Sequence, residues 1–287
     1  MAHQSMQKDI MNSKRNGSGN QLKAALLERR LCVGTWIQVG HPAVAEILAN
    51  VGFDWVAADC EHADIDVENF TNLARAMCGH NVAPMVRVRE NDDLAIRQML
   101  DAGAQGVIVP LVNTAEEARR AVAAAKYPPL GVRGFAFCRA NNWGHDFASY
   151  AAQANEQVAV VVMIESKLAV DNIDEILDVD GVDGVFIGPY DMSGSYGVTG
   201  QTSHPLIQAA CAEVVAACQR HKKSAGLHVV QPSEESINKA CADGFTFIAL
   251  GVDTVFIDQA ARTALNCIQS APSSRISHVV KLLDQAV

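Results

Sequence analysis

The sequence lacks the features of a nucleic-acid-binding or membrane-spanning protein. Charged residues make up only 19% of its 287 residues, and 32 acidic against 23 basic residues leave a net charge of −9 at pH 7. Net negative charge favours neither nucleic acid nor an anionic membrane surface. The longest apolar runs, residues 106–112 and 158–164, are far shorter than the roughly 20 residues of a membrane span. We therefore expect a small-molecule partner, with no nucleic acid and no membrane.

Paired cysteines and a secretion signal are also missing. The eight cysteines are scattered without a CxxC pair, which favours reduced, buried thiols over disulfides or a zinc site. Residues 1–20 are polar and lack the apolar core and small-residue cleavage site of a secretory signal. We interpret them as a flexible N-terminal leader and expect a cytoplasmic protein.

The sequence does contain a regular alternation of short apolar runs and longer amphipathic segments, which indicates parallel strands joined by helices. Eight runs are predicted as strands: 32–38, 54–59, 83–87, 106–109, 159–164, 184–187, 224–229 and 246–250. Thr114 and Ser233 are expected to cap helix starts, and Gly103 and Gly244 to end helices. Eight such units predict an α/β protein with a (β/α)₈ TIM barrel over residues 21–270, with a doubly wound sheet as the alternative.

Two segments depart from the repeat. Residues 127–157 are rich in Pro, Gly, Arg and aromatic residues, and so long a connection is usually functional. We expect this insertion to cover the active site. The tail, residues 271–287, contains an amphipathic stretch at 276–283 and is predicted to be helical and to lie at a subunit contact.

Polar residues follow several predicted strands, at the end of a barrel where catalytic groups lie. Glu165 ends the fifth strand and Asp191 follows the sixth, so the two carboxylates could converge at the barrel mouth. Hard oxygen ligands suit Mg²⁺ or Mn²⁺. The alternative is that both are helix caps or ion-pair partners.

Two other strand ends carry candidate catalytic groups. Arg87 ends the third strand, where a buried guanidinium is costly unless it faces an anionic ligand; an ion pair with Glu61 or Glu165 is the alternative. His62 follows Asp59 by three residues, a spacing that would let Asp59 fix the imidazole tautomer while His62 acts as a general base. A structural histidine is the alternative.

Three further residues or segments are candidates for a functional role. Residues 188–193 are expected to open a short helix whose free N–H groups could receive a carboxylate, although an ordinary turn is the alternative. His228 ends the seventh strand and could face the mouth, but a surface histidine is the simpler interpretation. A nucleophilic role for Cys60 is rejected because its acidic neighbours would raise its pKa.

Seven motifs occur in an order that resembles the HpcH/HpaI aldolase family: GFDWVAADCEH, PMVRVREND, YPPLGVRGF, CRANNWG, MIES, GVDGVFIGPYDMS and FIALGVD. The resemblance extends from about residue 31 to residue 265. The family contains 4-hydroxy-2-oxoheptanedioate, 2-dehydro-3-deoxyglucarate and 2-keto-3-deoxyrhamnonate aldolases, with macrophomate synthase as a relative. It implies a barrel of the phosphoenolpyruvate/pyruvate superfamily, often a hexamer built as a trimer of dimers that exchange the last helix.

The resemblance also implies roles for single residues in a class II mechanism. Glu165 and Asp191 would bind the divalent metal, Mg²⁺ or Mn²⁺ with Co²⁺ as a further option, and Arg87 would orient pyruvate enolate. His62 with Asp59 would form an acid–base dyad, and the backbone amides of Tyr190 and Asp191 would hold the substrate carboxylate. The expected reaction is the reversible cleavage of a 4-hydroxy-2-oxo acid to pyruvate and an aldehyde.

Some positions depart from the family pattern or define its substrate. Cys60 stands where the family usually has glycine, and Met163 stands where it has glutamine. Trp36 and His41, after the first strand, are expected to shape the aldehyde site, with Trp36 touching substrate. The alternatives are a metal-dependent enzyme that decarboxylates or condenses oxaloacetate, as macrophomate synthase and citrate-forming enzymes do, and a catalytically silent barrel.

Overall fold

Eight parallel strands close into a barrel in chain order, each pairing with the next and the first with the last. The computed structural model describes residues 21–267; the predicted leader (1–20) and C-terminal tail (271–287) lie outside this range. The strands are β1 (Cys32–Ile37), β2 (Trp55–Asp59), β3 (Ala83–Arg87), β4 (Gly106–Val109), β5 (Ala159–Ile164), β6 (Gly184–Ile187), β7 (Ser224–Val229) and β8 (Phe247–Val252). The predicted TIM barrel is confirmed.

Helices alternate with the strands and surround the barrel. They are α1 (Gln21–Leu27), α2 (Pro42–Val51), α3 (Val67–Ala76), α4 (Asp93–Ala102), α5 (Ala115–Ala125), α6 (Phe147–Gln157), α7 (Lys167–Asp171), α8 (Ile173–Leu177), α9 (Pro189–Ser195), α10 (Pro205–Arg220), α11 (Glu234–Asp243) and α12 (Asp253–Asn266). A 3₁₀ segment, Arg139–Gly144, precedes α6. Within residues 21–267, no helix is both long and apolar enough to cross a bilayer.

The strands are continuous apolar runs because both of their faces are buried. One face packs against the helices, in a core that includes Val86, Val107 and Ile248. The other face fills the barrel, where Trp55 stacks on Phe247 with ring centroids 4.4 Å apart. The barrel is therefore a packed core, and only its ends are open to a ligand.

The helix caps follow the sequence signals. Thr114 and Ser233 each form a capping box that satisfies free N–H groups at the start of α5 and α11. Gly103 and Gly244 end α4 and α11 with φ of 111° and 100°, a left-handed conformation that glycine adopts without a Cβ penalty. These four predictions are confirmed.

The insertion, residues 127–157, lies at the amino-terminal end of the barrel. Arg133 pairs with Asp101 of α4 at 2.7 Å, and Arg139 donates to the carbonyls of Ala102 and Ala74 at the ends of α4 and α3. Because these helices run antiparallel to the strands, their last residues lie beside the strand starts. The expectation that the insertion covers the active site of its own barrel is therefore wrong: a helix-to-strand connection begins and ends at the opposite face.

The amino-terminal end also contains a buried cluster of two lysines and one aspartate. Lys23 lies 3.1 Å from the carboxylate of Asp183. Lys23 and Lys126 both donate to the carbonyl of Val158 at 2.9 Å, and Lys126 also donates to that of Asn155 at 2.6 Å. Burial, followed by the neighbouring charge of Lys23, lowers the pKa of Lys126 to about 7.

The last described helix, α12, is anchored at its first residue and is otherwise largely exposed. Asp253 is buried, and its carboxylate accepts from the backbone N–H groups of Gln38 and Val39, both at 2.9 Å. Ile257 and Leu265 are exposed apolar side chains on the same helix. The helix therefore leaves apolar surface uncovered within residues 21–267.

Candidate active site

The alternation of side chains along each strand directs three charged residues toward the barrel axis. Asp59, Arg87 and Glu165 each lie two residues beyond a side chain of the barrel interior, namely Ala57, Met85 and Met163. Since side chains alternate with a period of two, all three point inward at the carboxyl-terminal mouth. The sequence prediction that these strand ends meet is consistent with this placement.

Asp59 and Arg87 form a bidentate ion pair at the mouth. The guanidinium donates two hydrogen bonds to the carboxylate, Nε to Oδ1 at 3.0 Å and Nη2 to Oδ2 at 2.7 Å. Gln38 adds a third from Nε2 at 3.1 Å. Burial by itself would raise the pKa of Asp59, but the hydrogen bonds and charge of Arg87 outweigh it and hold the pKa below its usual value. Asp59 is therefore an anion that fixes Arg87.

The expected side-chain dyad of Asp59 and His62 is not formed. Asp59 accepts from the backbone N–H groups of Glu61 and His62, both at 3.2 Å. The imidazole Nε2 instead lies 3.7 Å from Oε2 of Glu61, and the His62 side chain is 63% exposed. The reason is that Asp59 is already occupied by Arg87 and Gln38, so it shapes the turn that carries His62 without touching the imidazole.

Arg87 also has neighbours beyond Asp59. Its Nη1 lies 3.3 Å from Oε2 of Glu61, and its guanidinium carbon lies 5.0 Å from the centre of the Trp36 ring. The ion-pair alternative thus describes part of its environment, with Glu61 and Asp59 as partners. Burial would lower the pKa of Arg87, but Asp59 and Glu61 raise it, so the guanidinium stays charged.

Glu165 and Asp191 border one small space at the mouth. A Cβ placed on Gly188 would lie 3.0 Å from Oε2 of Glu165 and 3.8 Å from Oδ2 of Asp191, so the missing side chain of Gly188 leaves this space open. Glu165 is 6% exposed, and its Oε1 accepts from the backbone N–H of Leu111 at 2.6 Å. The two carboxylates are thus near neighbours, as the sequence predicted.

Negative charge exceeds positive charge in this region. Burial is the main cause that raises the pKa of Glu165, and the nearby charges of Glu61 and Asp191 raise it further. Burial raises the pKa of Glu61 as well, against the opposing charge of Arg87. Oε2 of Glu61 is buried without a hydrogen-bond donor in the described range. The site therefore holds carboxylates that Arg87 alone does not compensate.

These residues fit a divalent cation. Glu165 and Asp191 supply hard oxygen donors beside an open space, and the uncompensated carboxylates favour positive charge there. No group of three or more His, Cys, Asp or Glu within residues 21–267 could enclose a metal. Two protein ligands would therefore leave the remaining coordination positions to water and substrate.

The expected short helix after β6 is present as α9. Gly188 is its N-cap and Pro189 its first residue, so the N–H groups of Tyr190 and Asp191 lie in the first turn, where they have no partner inside the helix. The side chain of Tyr190 is exposed. These two amides point from the start of the helix at the edge of the mouth, beside Gly188.

Comparison with known proteins identifies the chain's relatives. The sequence profile of the HpcH/HpaI aldolase/citrate lyase family matches residues 32–260. A 4-hydroxy-2-oxo-heptane-1,7-dioate aldolase of Shigella boydii is 40% identical over 244 residues, 84% of this chain and 92% of that protein. A 5-keto-4-deoxy-D-glucarate aldolase of Salmonella paratyphi C is 39% identical over 234 residues, 82% of this chain and 91% of that protein.

The chain belongs to the HpcH/HpaI aldolase family. Its barrel also superposes on the crystal structure of a family protein from Burkholderia cenocepacia, with a TM-score of 0.84 and 32% identity over 88% of this chain and all of the other. The match of fold and sequence covers every candidate residue at the mouth. The resemblance that the seven motifs indicated is therefore confirmed.

Two positions where the chain departs from the HpcH/HpaI pattern face different layers. Cys60 packs in the core between strands and helices, so it points away from the mouth. Burial and the charge of Asp59 raise its pKa to about 12, in agreement with the rejection of a thiolate nucleophile. Met163 faces the barrel interior and lies two residues before Glu165.

Trp36 lies in β1 and His41 lies between β1 and α2. Trp36 is 4% exposed and packs edge-on against Trp55 and Phe186, with ring centroids 6.1 and 5.5 Å away. It lies beneath Arg87, because its position in β1 points it into the barrel. His41 caps α2 by accepting from the backbone N–H of Ala43 at 3.2 Å. That Trp36 contacts substrate stays a prediction.

Three positioning residues were missed from the sequence. Gln38 links Asp59 to Thr254, whose hydroxyl donates to Gln38 Oε1 at 3.1 Å. Asp253 holds the backbone after β1, and its only signal was its place at the end of FIALGVD. Leu111 adopts φ of 55° while its N–H reaches Glu165. A positive φ is uncommon at leucine, so nothing in the sequence indicated it.

Proposed function

We propose that this chain is a divalent-metal-dependent class II aldolase that reversibly cleaves a 4-hydroxy-2-oxo acid to pyruvate and an aldehyde. The observation that supports this most is the approach of Glu165 and Asp191 around the open space at Gly188, beside the charged Arg87. The names of the aldolase relatives support the same reaction class.

Glu165 and Asp191 are the proposed metal ligands. Their oxygen donors suit Mg²⁺ or Mn²⁺, with Co²⁺ as a further option. The bound cation supplies a Lewis acid that polarises the 2-oxo group of the substrate and stabilises negative charge on it. Leu111 holds one oxygen of Glu165 in place, which leaves Oε2 on the side of Gly188.

Arg87 is proposed to bind the 2-oxo oxygen of the substrate. Asp59 holds the guanidinium with two hydrogen bonds, and the Trp36 ring supports it from inside the barrel. A guanidinium fixed in this way stabilises developing enolate charge without having to reorganise. The backbone amides of Tyr190 and Asp191 are proposed to receive the substrate carboxylate at the start of α9.

His62 is proposed to take the proton of the 4-hydroxyl group as the C3–C4 bond breaks. Its exposed position at the outer edge of the mouth is where the departing aldehyde meets solvent. Its Nε2 lies 3.7 Å from Oε2 of Glu61. In the synthetic direction, the same histidine would return the proton to the new hydroxyl group.

The chain is also proposed to form a homo-oligomer, a hexamer built as a trimer of dimers that exchange α12. The exposed apolar side chains of α12, Ile257 and Leu265, support this because a helix packed on its own barrel would bury such residues. The exposed Phe135, Phe137 and Trp143 of the insertion are further apolar surface for a subunit contact. Sedimentation of the full chain and of Ile257→Lys tests the proposal: the wild type should be a hexamer and the variant a smaller species.

The decisive experiment compares substrates after removal of bound metal. The protein is dialysed against a chelator, then assayed with Mg²⁺ or Mn²⁺ on a 4-hydroxy-2-oxo acid and, separately, on oxaloacetate, with pyruvate as the measured product. Metal-dependent cleavage of the 4-hydroxy-2-oxo acid is expected. Full activity without metal would contradict the proposal, and release of pyruvate from oxaloacetate alone would favour the oxaloacetate-using alternative.

A further inference from the structure

His228 is an inward-facing histidine to which the proposed reaction gives no role. Two residues earlier in β7, a Cβ on Gly226 would meet the rings of Phe186 and Phe247 inside the barrel, at 2.7 and 2.9 Å. Since side chains alternate along a strand, His228 points the same way. Its ring lies 6.2 Å from that of Trp36, the residue that supports Arg87.

The strand register places His228 beside the proposed metal and substrate position. Ile187 of β6 pairs with Leu227 of β7, so the residues that follow, Gly188 and His228, are neighbours across the two strands. Paired parallel strands lie roughly 4.8 Å apart. Gly188 borders the space between Glu165 and Asp191, and His228 therefore lies beside a residue that borders that space, within the field of Arg87 and Asp59.

The tautomer of His228 is set by a backbone carbonyl. Its Nε2 lies 2.9 Å from the carbonyl oxygen of Gly251, which can only accept, so Nε2 carries a proton. Nδ1 is then the acceptor of the neutral ring. No donor in residues 21–267 bonds to Nδ1, and Nδ1 is not one of the buried polar atoms that lack a partner. It is therefore open to solvent in the site.

Burial favours the neutral form of the ring. It is the largest effect and lowers the pKa of His228; the hydrogen bond to the Gly251 carbonyl opposes it, the charge of Arg87 lowers the pKa further, and Asp59 raises it by the smallest amount. A neutral imidazole with a free Nδ1 can accept a proton. It can also hold one while negative charge develops on a neighbouring ligand.

We infer that His228 transfers protons to and from C3 of the bound 2-oxo acid, as a second acid–base residue at the end of β7, whereas His62 follows β2. This inference rests on the proposed aldolase function. With pyruvate bound, Nδ1 takes a proton from the methyl group. The electron pair of the broken C–H bond becomes the C2–C3 double bond, and the 2-oxo oxygen takes the negative charge.

In the cleavage direction, His62 and His228 each transfer one proton. The 4-hydroxyl proton leaves through His62 as the C3–C4 bond breaks, and the electron pair of that bond forms the enolate. Nδ1 of His228 takes a proton from solvent and delivers it to C3, which gives the methyl group of pyruvate. One proton leaves and one enters, so the overall reaction is balanced.

The test separates the exchange of C3 protons from bond cleavage. The variant His228→Gln keeps an N–H that can donate to Gly251 but loses the basic nitrogen. Exchange of pyruvate C3 protons with D₂O in the presence of Mn²⁺ should fall by about 100-fold in the variant, as expected for loss of an acid–base group. Aldehyde release in the first turnover of a 4-hydroxy-2-oxo acid should stay within about threefold of wild type, because bond breaking precedes protonation at C3.

Controls assign each outcome. His80→Gln, at the amino-terminal end, should leave both rates unchanged, and His62→Ala should lose cleavage but retain exchange. Wild-type exchange in His228→Gln, or equal loss of both rates, would overturn the inference. Wild-type protein that cleaves the substrate without exchanging pyruvate protons would overturn it while leaving the proposed aldolase intact. A wild type that does neither would contradict the aldolase itself, and the inference with it.

Discussion

The two ends of the barrel both bury charge, but they compensate it differently. At the amino-terminal end, Lys23 pairs with Asp183 and donates to the Val158 carbonyl, and Lys126 donates to the carbonyls of Val158 and Asn155, so each ammonium has more than one acceptor. At the carboxyl-terminal mouth, carboxylates gather around Arg87, and Oε2 of Glu61 lies 3.3 Å from its Nη1 but accepts no hydrogen bond within the described residues. Burial of uncompensated charge is costly.

The contrast separates buried charges that serve the fold from those that belong to a ligand site. A buried charge whose partners are all supplied by the fold stabilises or specifies the fold. A surplus of one sign beside an open space, as around Glu165 and Asp191, indicates that a ligand of the opposite sign belongs there. A cavity of about 580 Å³ that the insertion lines around Arg139 and Tyr150 lies at the amino-terminal end, the opposite end of the barrel from these carboxylates.

The largest effect on turnover is expected at Glu165. Replacing it by Gln removes one proposed metal ligand and should lower metal-dependent turnover by at least about 1000-fold, because the cation contributes several kcal/mol to the transition state. Steady-state kinetics at saturating Mn²⁺ measures this. Glu116→Gln, on the exposed surface of α5, is the matched control. Equal activities for the two variants would contradict the assignment.

The next largest effect is expected at Arg87. Arg87→Lys keeps the positive charge but loses the fork that pairs with Asp59. Turnover should fall by about 100-fold, the usual cost of one preorganised donor to an oxyanion. Arg119→Lys, which changes an exposed arginine on α5, should retain wild-type kinetics. A fall of less than about threefold in Arg87→Lys would mean that the guanidinium serves only to pair with Asp59.

A smaller effect on the kinetics is expected at Trp36, which lies beneath Arg87. Trp36→Phe retains an aromatic ring but weakens the contact with the Arg87 guanidinium, which should raise KM for pyruvate in the exchange reaction by about three- to tenfold. The position of Trp36 as a support predicts that kcat changes less than KM. A large loss of kcat with unchanged KM would indicate direct contact with the reacting atoms. Thermal unfolding checks that the packing of the barrel is retained.

The smallest effect on activity is expected at the amino-terminal end, where the consequence is stability. Lys126→Met should retain turnover. Because the pKa of Lys126 is lowered in the fold to about 7, the unfolded chain binds more protons between that pH and the ordinary lysine pKa. The wild type should therefore gain stability relative to the variant as pH rises through this window, by up to about 1.4 kcal/mol per unit.

Urea unfolding of the wild type and Lys126→Met at pH 7.5 and 9 measures that gain. The stability difference should shift toward the wild type at the higher pH, and below about pH 7 it should be constant. A difference that does not change with pH would show that Lys126 stays charged in the fold. Lost turnover in Lys126→Met would instead contradict the assignment of the amino-terminal cluster to stability alone.

Much of the fold could be predicted from the sequence because its signals are local. β3, β4, β5, β6 and β7 begin and end at the predicted residues, since strands buried on both faces are uninterrupted apolar runs. After β5 the chain forms two short helices, α7 and α8, that meet at Asn172. Alternation along the strands also placed Asp59, Arg87 and Glu165 correctly at one mouth.

The parts that could not be predicted depend on contacts between distant residues. The spacing of Asp59 and His62 permits an interaction, but Arg87 and Gln38 occupy the carboxylate first. The position of Leu111 depends on a φ that leucine rarely adopts. Composition indicates that the insertion is unusual but does not locate it; its topology does, because any helix-to-strand connection starts at the amino-terminal end.

Calorimetry of Mn²⁺ binding to metal-free protein, with and without pyruvate, shows whether Glu165 and Asp191 hold the cation. We expect one Mn²⁺ site per chain that binds more tightly when pyruvate is present, and that is lost in both Glu165→Gln and Asp191→Asn while Glu116→Gln retains it. A wild type that binds no Mn²⁺, or binding that is unchanged in both carboxylate variants, would contradict it.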